Sequence, residues 1–210
     1  MTPKINEKPA MNIENNTLSA RDRILGRVRA NRPKPYEHPD VPVFAIAGDP
    51  VDNFISHVEG FDGKVITLTS RDEAISWLKQ NLVPSQSNRI FSAVDGYNGN
   101  MTPDLVKTPA DAERLSACVG EGLLGVGETG SVLVSPESFT RMANGLFAEN
   151  LYLLLEKSRI TDGLQDAYTR MDLSKIQYSS LFSGPSATAD IEAVHITGAQ
   201  GPVSLTVLLY

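Results

Sequence analysis

Three stretches of this sequence combine residues able to hold or transform a small anion. The first is Gly125-Val126-Gly127-Glu128-Thr129-Gly130-Ser131. Glycines let a backbone approach a ligand and present amides to an anion. The Glu128 carboxylate can act as nucleophile or general base, and the hydroxyls of Thr129 and Ser131 can hold a ligand oxygen. The Gly-x-Gly-x-x-Gly spacing of a dinucleotide fingerprint occurs at Gly125, Gly127 and Gly130. An apolar strand follows where that fingerprint needs a helix, which excludes it. The plainer alternative is a glycine-rich turn entering a strand, with Glu128 binding backbone amides.

The second stretch is Ser183-Gly184-Pro185-Ser186, followed by Ala189-Asp190-Ile191-Glu192. The Gly-Pro turn redirects the chain after a strand expected at 178–182, and Ser186 is placed to cap a short helix. Its amides would then face the C-terminal edge of the sheet, where open α/β folds bind ligands. Asp190 and Glu192 fall one turn on; the alternative is a capped helix bearing surface acids. The third stretch, Gly198-Ala199-Gln200-Gly201-Pro202, offers Gln200 and Gly201 to a ligand or is a plain strand-entry turn. Arg141 can bind a carboxylate bidentately, or be an ordinary ion-paired side chain. His195, among Ala193, Val194 and Ile196, reads as structural, and Cys118 as a small buried apolar residue.

The elements that must position these groups alternate. A basic amphipathic helix fits 18–30, with Leu18, Ile24, Leu25 and Val28 on one side; Pro33 and Pro35 end it. Strands are expected at 43–47, 64–69, 89–94, 131–134, 151–155, 178–182 and 203–209. Helices are expected after Asp49-Pro50, with Phe54, Ile55 and Val58 inward, and after Ser70 and Glu73, with Ala74, Ile75, Trp77 and Leu78 inward. Others fit 108–115 and 161–171. Val119–Gly130, with five glycines in twelve residues, is read only as a change of texture. This alternation implies βαβ units: an α/β fold with a mostly parallel twisted sheet flanked by helices.

Of 210 residues, 41% are apolar, and the 16 glycines bring the total to about half, enough for one substantial core. The organisation is a disordered tail at 1–16, the basic helix at 17–35 and a single domain at 36–210. Residues 19–35 carry six basic residues against Asp22 alone, and 36–210 sum to −11. An acidic body argues against nucleic acid. No apolar run is long enough to span a membrane and no signal-peptide core is present, so a soluble cytoplasmic protein is expected. One cysteine and three histidines exclude a disulfide framework and give no metal site; an iron–sulfur cluster held by this chain alone is excluded too.

Glu128-Thr129-Gly130-Ser131, then Arg141 and the strand at 151–155, together with Ser183-Gly184-Pro185-Ser186-x-x-Ala189-Asp190-Ile191-Glu192 and Gly198-x-x-Gly201-Pro202, resemble the LUD-domain family. Ala20-Arg21-Asp22-Arg23-Ile24-Leu25 resembles the opening helix of lactate utilization protein C. The resemblance implies a sheet of the type shared by sugar-phosphate isomerases and CoA transferases. It also implies membership in a system oxidising L-lactate to pyruvate, in which iron–sulfur partner subunits hold the clusters and this chain binds no cofactor by itself. The chain would bind a small carboxylate or those partners, and an oligomer is open. A scaffold or ligand-sensing role and a CoA-transferase-like enzyme using Glu128 are the alternatives. Two departures stand out: Ala148-Glu149-Asn150 replaces a Pro-Pro-x-His stretch, and Gln200 stands where members often carry a histidine, which unlike glutamine can shuttle protons.

Overall fold

The computed structural model describes residues 19–33, 39, 42, 44–171, 178–190 and 192–210. The tail at 1–16 and most of the linker before Pro42 lie outside these residues. The chain divides into two units, Met1–Pro42 and Val43–Tyr210. In the first, α1 (Ala20–Ala30) is capped by Ser19, whose hydroxyl accepts from Asp22 N. It leaves Ile24 and Val28 exposed.

The second unit begins with α2 (Pro50–Gly60), capped by the Asp49 carboxylate with Pro50 in the first turn. Then come β1 (Lys64–Thr67), α3 (Arg71–Asn81), β2 (Ile90–Ser92), α4 (Pro109–Ala112), β3 (Ala117–Glu121), β4 (Leu124–Val126) and β5 (Ser131–Val134). They are followed by α5 (Met142–Phe147), β6 (Asn150–Leu155), β7 (Ile160–Thr161), α6 (Leu164–Arg170), β8 (Ser180–Phe182), β9 (Ala187–Thr188), β10 (Ile196–Thr197) and β11 (Ser204–Leu209).

Five strands form an all-parallel sheet in the order β1-β11-β6-β3-β2. Both faces are covered, which is why β6 and β11 read as near-continuous apolar runs. Successive side chains alternate between the faces. Leu151, Leu153, Leu155, Leu205, Val207, Leu209 and Cys118 join Phe54 and Val58 of α2 in one layer. Leu154, Leu208, Ala117, Val119 and Ile90 meet Ala74, Ile75 and Leu78 of α3 in the other. Each fully buried leucine contributes about 2 kcal/mol relative to exposure.

A second sheet, β7-β4-β5-β8, is mixed: β4 and β7 run parallel, while β4–β5 and β5–β8 are antiparallel. It carries β5, so the apolar run 131–134 belongs to a hairpin and not to the parallel sheet. β9 and β10 make a small antiparallel ribbon.

Three expectations are corrected. Residues 44–47 form no strand; Phe44 is exposed, and Ala47 O accepts from the Asn53 side chain at 2.8 Å instead of from a neighbouring strand. Ile160–Thr161 pairs with β4, so the helix expected from Thr161 begins only at Leu164. Ser186 caps no helix: Ala187–Thr188 is the strand β9.

Candidate functional site

The glycines of the first stretch are explained by α2. A Cβ at Gly127 would lie 2.8 Å from Pro50 O, at the start of that helix. A Cβ at Gly130, where φ is +60°, would lie 2.6 Å from Val58 N and 2.9 Å from His57 Cβ, near its end. Gly184, in the second stretch, comes equally close: its Cβ would stand 2.5 Å from Phe61 O. The space that glycine opens is therefore filled by a helix backbone, and what this packing leaves beside the helix are side chains.

Those side chains are joined. Ser131 Oγ lies 2.7 Å from Thr129 Oγ1 and 2.6 Å from Ser183 Oγ. The antiparallel pairing of β5 with β8, Val132 opposite Phe182, brings the first and second stretches to this contact. Ser131 is buried, while Thr129 and Ser183 are half-buried. Against the backbone of the same glycine loop, His57 in the last turn of α2 binds Gly127 O through Nδ1 at 2.9 Å. A carbonyl only accepts, so Nδ1 carries the proton.

The Glu128 carboxylate is turned to α6. Its Oε2 accepts from Leu164 N at 3.0 Å, at the start of α6. The cap residue there, Gly163, has no side chain to do so, and the carboxylate also suits the positive end of a helix.

The remaining expected residues lie apart. Ser186 is held by backbone bonds, its N–H donating to Pro202 O at 2.8 Å and its carbonyl accepting from Gly198 N at 2.7 Å. Gly201 packs on it: a Cβ there would lie 3.0 Å from Ser186 Cβ and 3.5 Å from Leu146 O. Ser204 starts β11 opposite Asn150, so this group sits at the N-terminal edge of the parallel sheet and not at the expected C-terminal edge. Val203 N donates to Glu149 O at 2.8 Å, which brings Ala148-Glu149-Asn150 beside the Gly198–Pro202 turn. The two departures from the family pattern thus fall next to each other. Arg141 spends Nη1 on Val106 O and Lys107 O, at 3.0 and 2.7 Å, and holds a loop. Asp190 accepts from Thr188 Oγ1 at 2.6 Å on the exposed ribbon, and Glu192 occupies a positive-φ turn there. Gln200 is exposed.

The C-terminal edge of the parallel sheet carries other groups, none of them singled out from the sequence. Arg71, after β1, pairs with Glu121 at the end of β3 and donates to Asp95 O. The Glu121 hydrogen bond, opposed by partial burial, raises the Arg71 pKa above its already high ordinary value. Lys157, after β6, donates from Nζ to Leu68 O at 2.9 Å. The rule that places sites after parallel strands points to these residues once the strand order is known; His57 has no local signal, since a lone histidine on an amphipathic helix looks like any other. Cys118 points into the apolar core, and burial pushes its thiol far up, so it is an inert packing residue.

Residues 107–210 match the model of the LUD domain. A crystal structure of a DUF162 family protein from Deinococcus radiodurans at 1.70 Å is similar in fold, with a TM-score of 0.57 at 12% identity over 76% of this chain and 95% of that one. No curated protein matches the chain.

Proposed function

Because the chain belongs to the LUD-domain family through residues 107–210, a family linked in general to lactate utilisation, we propose that it is the non-redox subunit of a system oxidising L-lactate to pyruvate. In this reading iron–sulfur partner subunits carry the electrons, and this chain binds a small carboxylate or those partners. The observation that carries it is the Ser131–Ser183 contact at 2.6 Å, which joins both stretches of the family resemblance, 52 residues apart, in one polar cluster. Thr129, Ser131 and Ser183 are the ligand-binding candidates it assembles, with His57 added, while Gly130 and Gly184 seat α2. The burial of Cys118 in the core supports assigning the clusters to other chains. The engagement of Glu128 with α6 favours a positioning role for this carboxylate over an acyl-transfer one.

Co-expression with candidate iron–sulfur partner subunits tests the reading. The chain should co-purify with them, and lactate-dependent reduction of an artificial acceptor should be lost when it is left out. Full electron transfer without it would refute the proposal.

A further inference from the structure

We propose that the exposed β9–β10 ribbon is a docking surface for α1 of a second copy of this chain, so that two copies exchange their N-terminal helices. This goes beyond the subunit role above and does not rest on it. The ribbon carries an apolar stripe. Ile196 of β10 stands opposite Thr188 of β9, so the two side chains share a face. Val194 precedes Ile196 by two residues, the spacing of one strand face. Val203 closes the stripe: a Cβ at Gly198, two residues after Ile196, would lie 2.6 Å from Val203 Cγ2. Val194, Ile196 and Val203 are all exposed.

Acids border this stripe. Thr188 Oγ1 donates to the Asp190 carboxylate at 2.6 Å, which holds that charge on the Ile196 face. Glu192 lies in the turn between the two strands. Glu149, whose carbonyl accepts from Val203 N at 2.8 Å, flanks the other end. No lysine or arginine follows Lys175 in the sequence. An occupant must therefore bring apolar side chains and positive charge together.

The helix α1 has that composition. Ile24 and Val28, 63% and 62% exposed, stand one turn apart on one side of it. Arg21 and Arg27, each three residues from Ile24, flank them. Neither the α1 arginines nor Asp190, Glu192 and Glu149 have an ion-pair partner among the described residues. Both faces are exposed in the single chain, and a second copy supplies the complement of each. A two-fold pair makes the contact twice, which doubles the area that one helix of 11 residues can bury.

Sedimentation equilibrium of the full chain tests the dimer. It should dissociate on dilution, and more readily at high salt, which screens the charges. Ile24→Asp lies on a helix with no buried residue, so it disturbs no core. It should weaken the dimer about tenfold or more with an unchanged circular dichroism spectrum. Disulfide trapping identifies the occupant, since Cys118 is fully buried and stays out of the exchange. A chain carrying Ile24→Cys, mixed with a chain carrying Ile196→Cys, should give a covalent dimer that neither variant gives alone. A monomer at every concentration, a dimer indifferent to Ile24→Asp, or a mixture that behaves as either variant alone would overturn the proposal. So would a chain carrying both cysteines that closes its disulfide only within itself.

Discussion

Replacing Gly130 by alanine tests whether the glycine loop is the seat of α2. The position has φ +60°, a left-handed conformation that costs an L-residue about 1–2 kcal/mol. The new Cβ would stand 2.6 Å from Val58 N and 2.8 Å from the His57 carbonyl carbon. Ordinary van der Waals contact begins at 3.4 Å, so α2 would have to retreat by about 0.8 Å. It is not free to do so, because Phe54 and Val58 on the same helix are 0% exposed in the core. Overpacking of this kind costs about 1–3 kcal/mol. Reduced unfolded-state entropy offsets about 0.4–1 kcal/mol. The net expectation is a loss of about 1–5 kcal/mol. Urea unfolding followed through Trp77, the single tryptophan, whose ring lies 6.2 Å from that of Tyr152, reads it directly. Gly60→Ala in the same helix is the control: nothing lies within 4 Å of a Cβ there, and the helix should be unchanged or gain up to about 1 kcal/mol. A Gly130→Ala loss below about 1 kcal/mol at unchanged slope, or an equal loss in Gly60→Ala, would refute the packing argument.

Ser131→Ala and Ser183→Ala should each cost about 1 kcal/mol, and a double-mutant cycle should give a coupling of about 0.5–1 kcal/mol; additive losses would mean the hydroxyls do not interact. Glu128→Ala should cost about 1 kcal/mol through the start of α6, read as faster amide exchange at Leu164–Arg170, and unchanged exchange there would argue against the cap. Glu73, Asp111 and Glu137 are all held below the usual carboxylate range, chiefly by hydrogen bonds from Thr69, Thr108 and Ser135. A depressed folded pKa stabilises above the unfolded value and the contribution disappears as pH falls through the folded one. Urea midpoints should therefore drop below about pH 4, and Thr69→Val with Thr108→Val should flatten that drop; a flat profile in the parent chain would contradict it.

Much of the fold was legible locally. Asp49-Pro50, Ser70 and Thr108 announce helix starts because a short polar side chain accepts from the first free amides. The runs 151–155 and 204–209 announce buried strands because both of their faces meet apolar layers. The strands β3 and β4 were hidden by Gly120, Gly122 and Gly125, which have no strand preference. They are strands because neighbours press on them: a Cβ at Gly120 would lie 2.4 Å from the Phe139 ring. The same holds for Ser186, whose amide is taken by Pro202 O. A helix cap and a strand entry look alike until the partner is known.

By itself the sequence determined the α/β class, the hydroxyl-bearing motifs and the family they resemble, since these rest on residue order and on periodicities of two and 3.6. Only the tertiary structure decided which of those motifs meet. It spent the glycines on α2, Glu128 on α6, Arg141 on two carbonyls and Ser186 on the sheet's N-terminal edge. It also set His57 on the carbonyl of Gly127, 70 positions away, and Ser131 on Ser183, 52 positions away. The seat of α2 and the pairing of β5 with β8 make these contacts, and no local pattern encodes contacts at such separations.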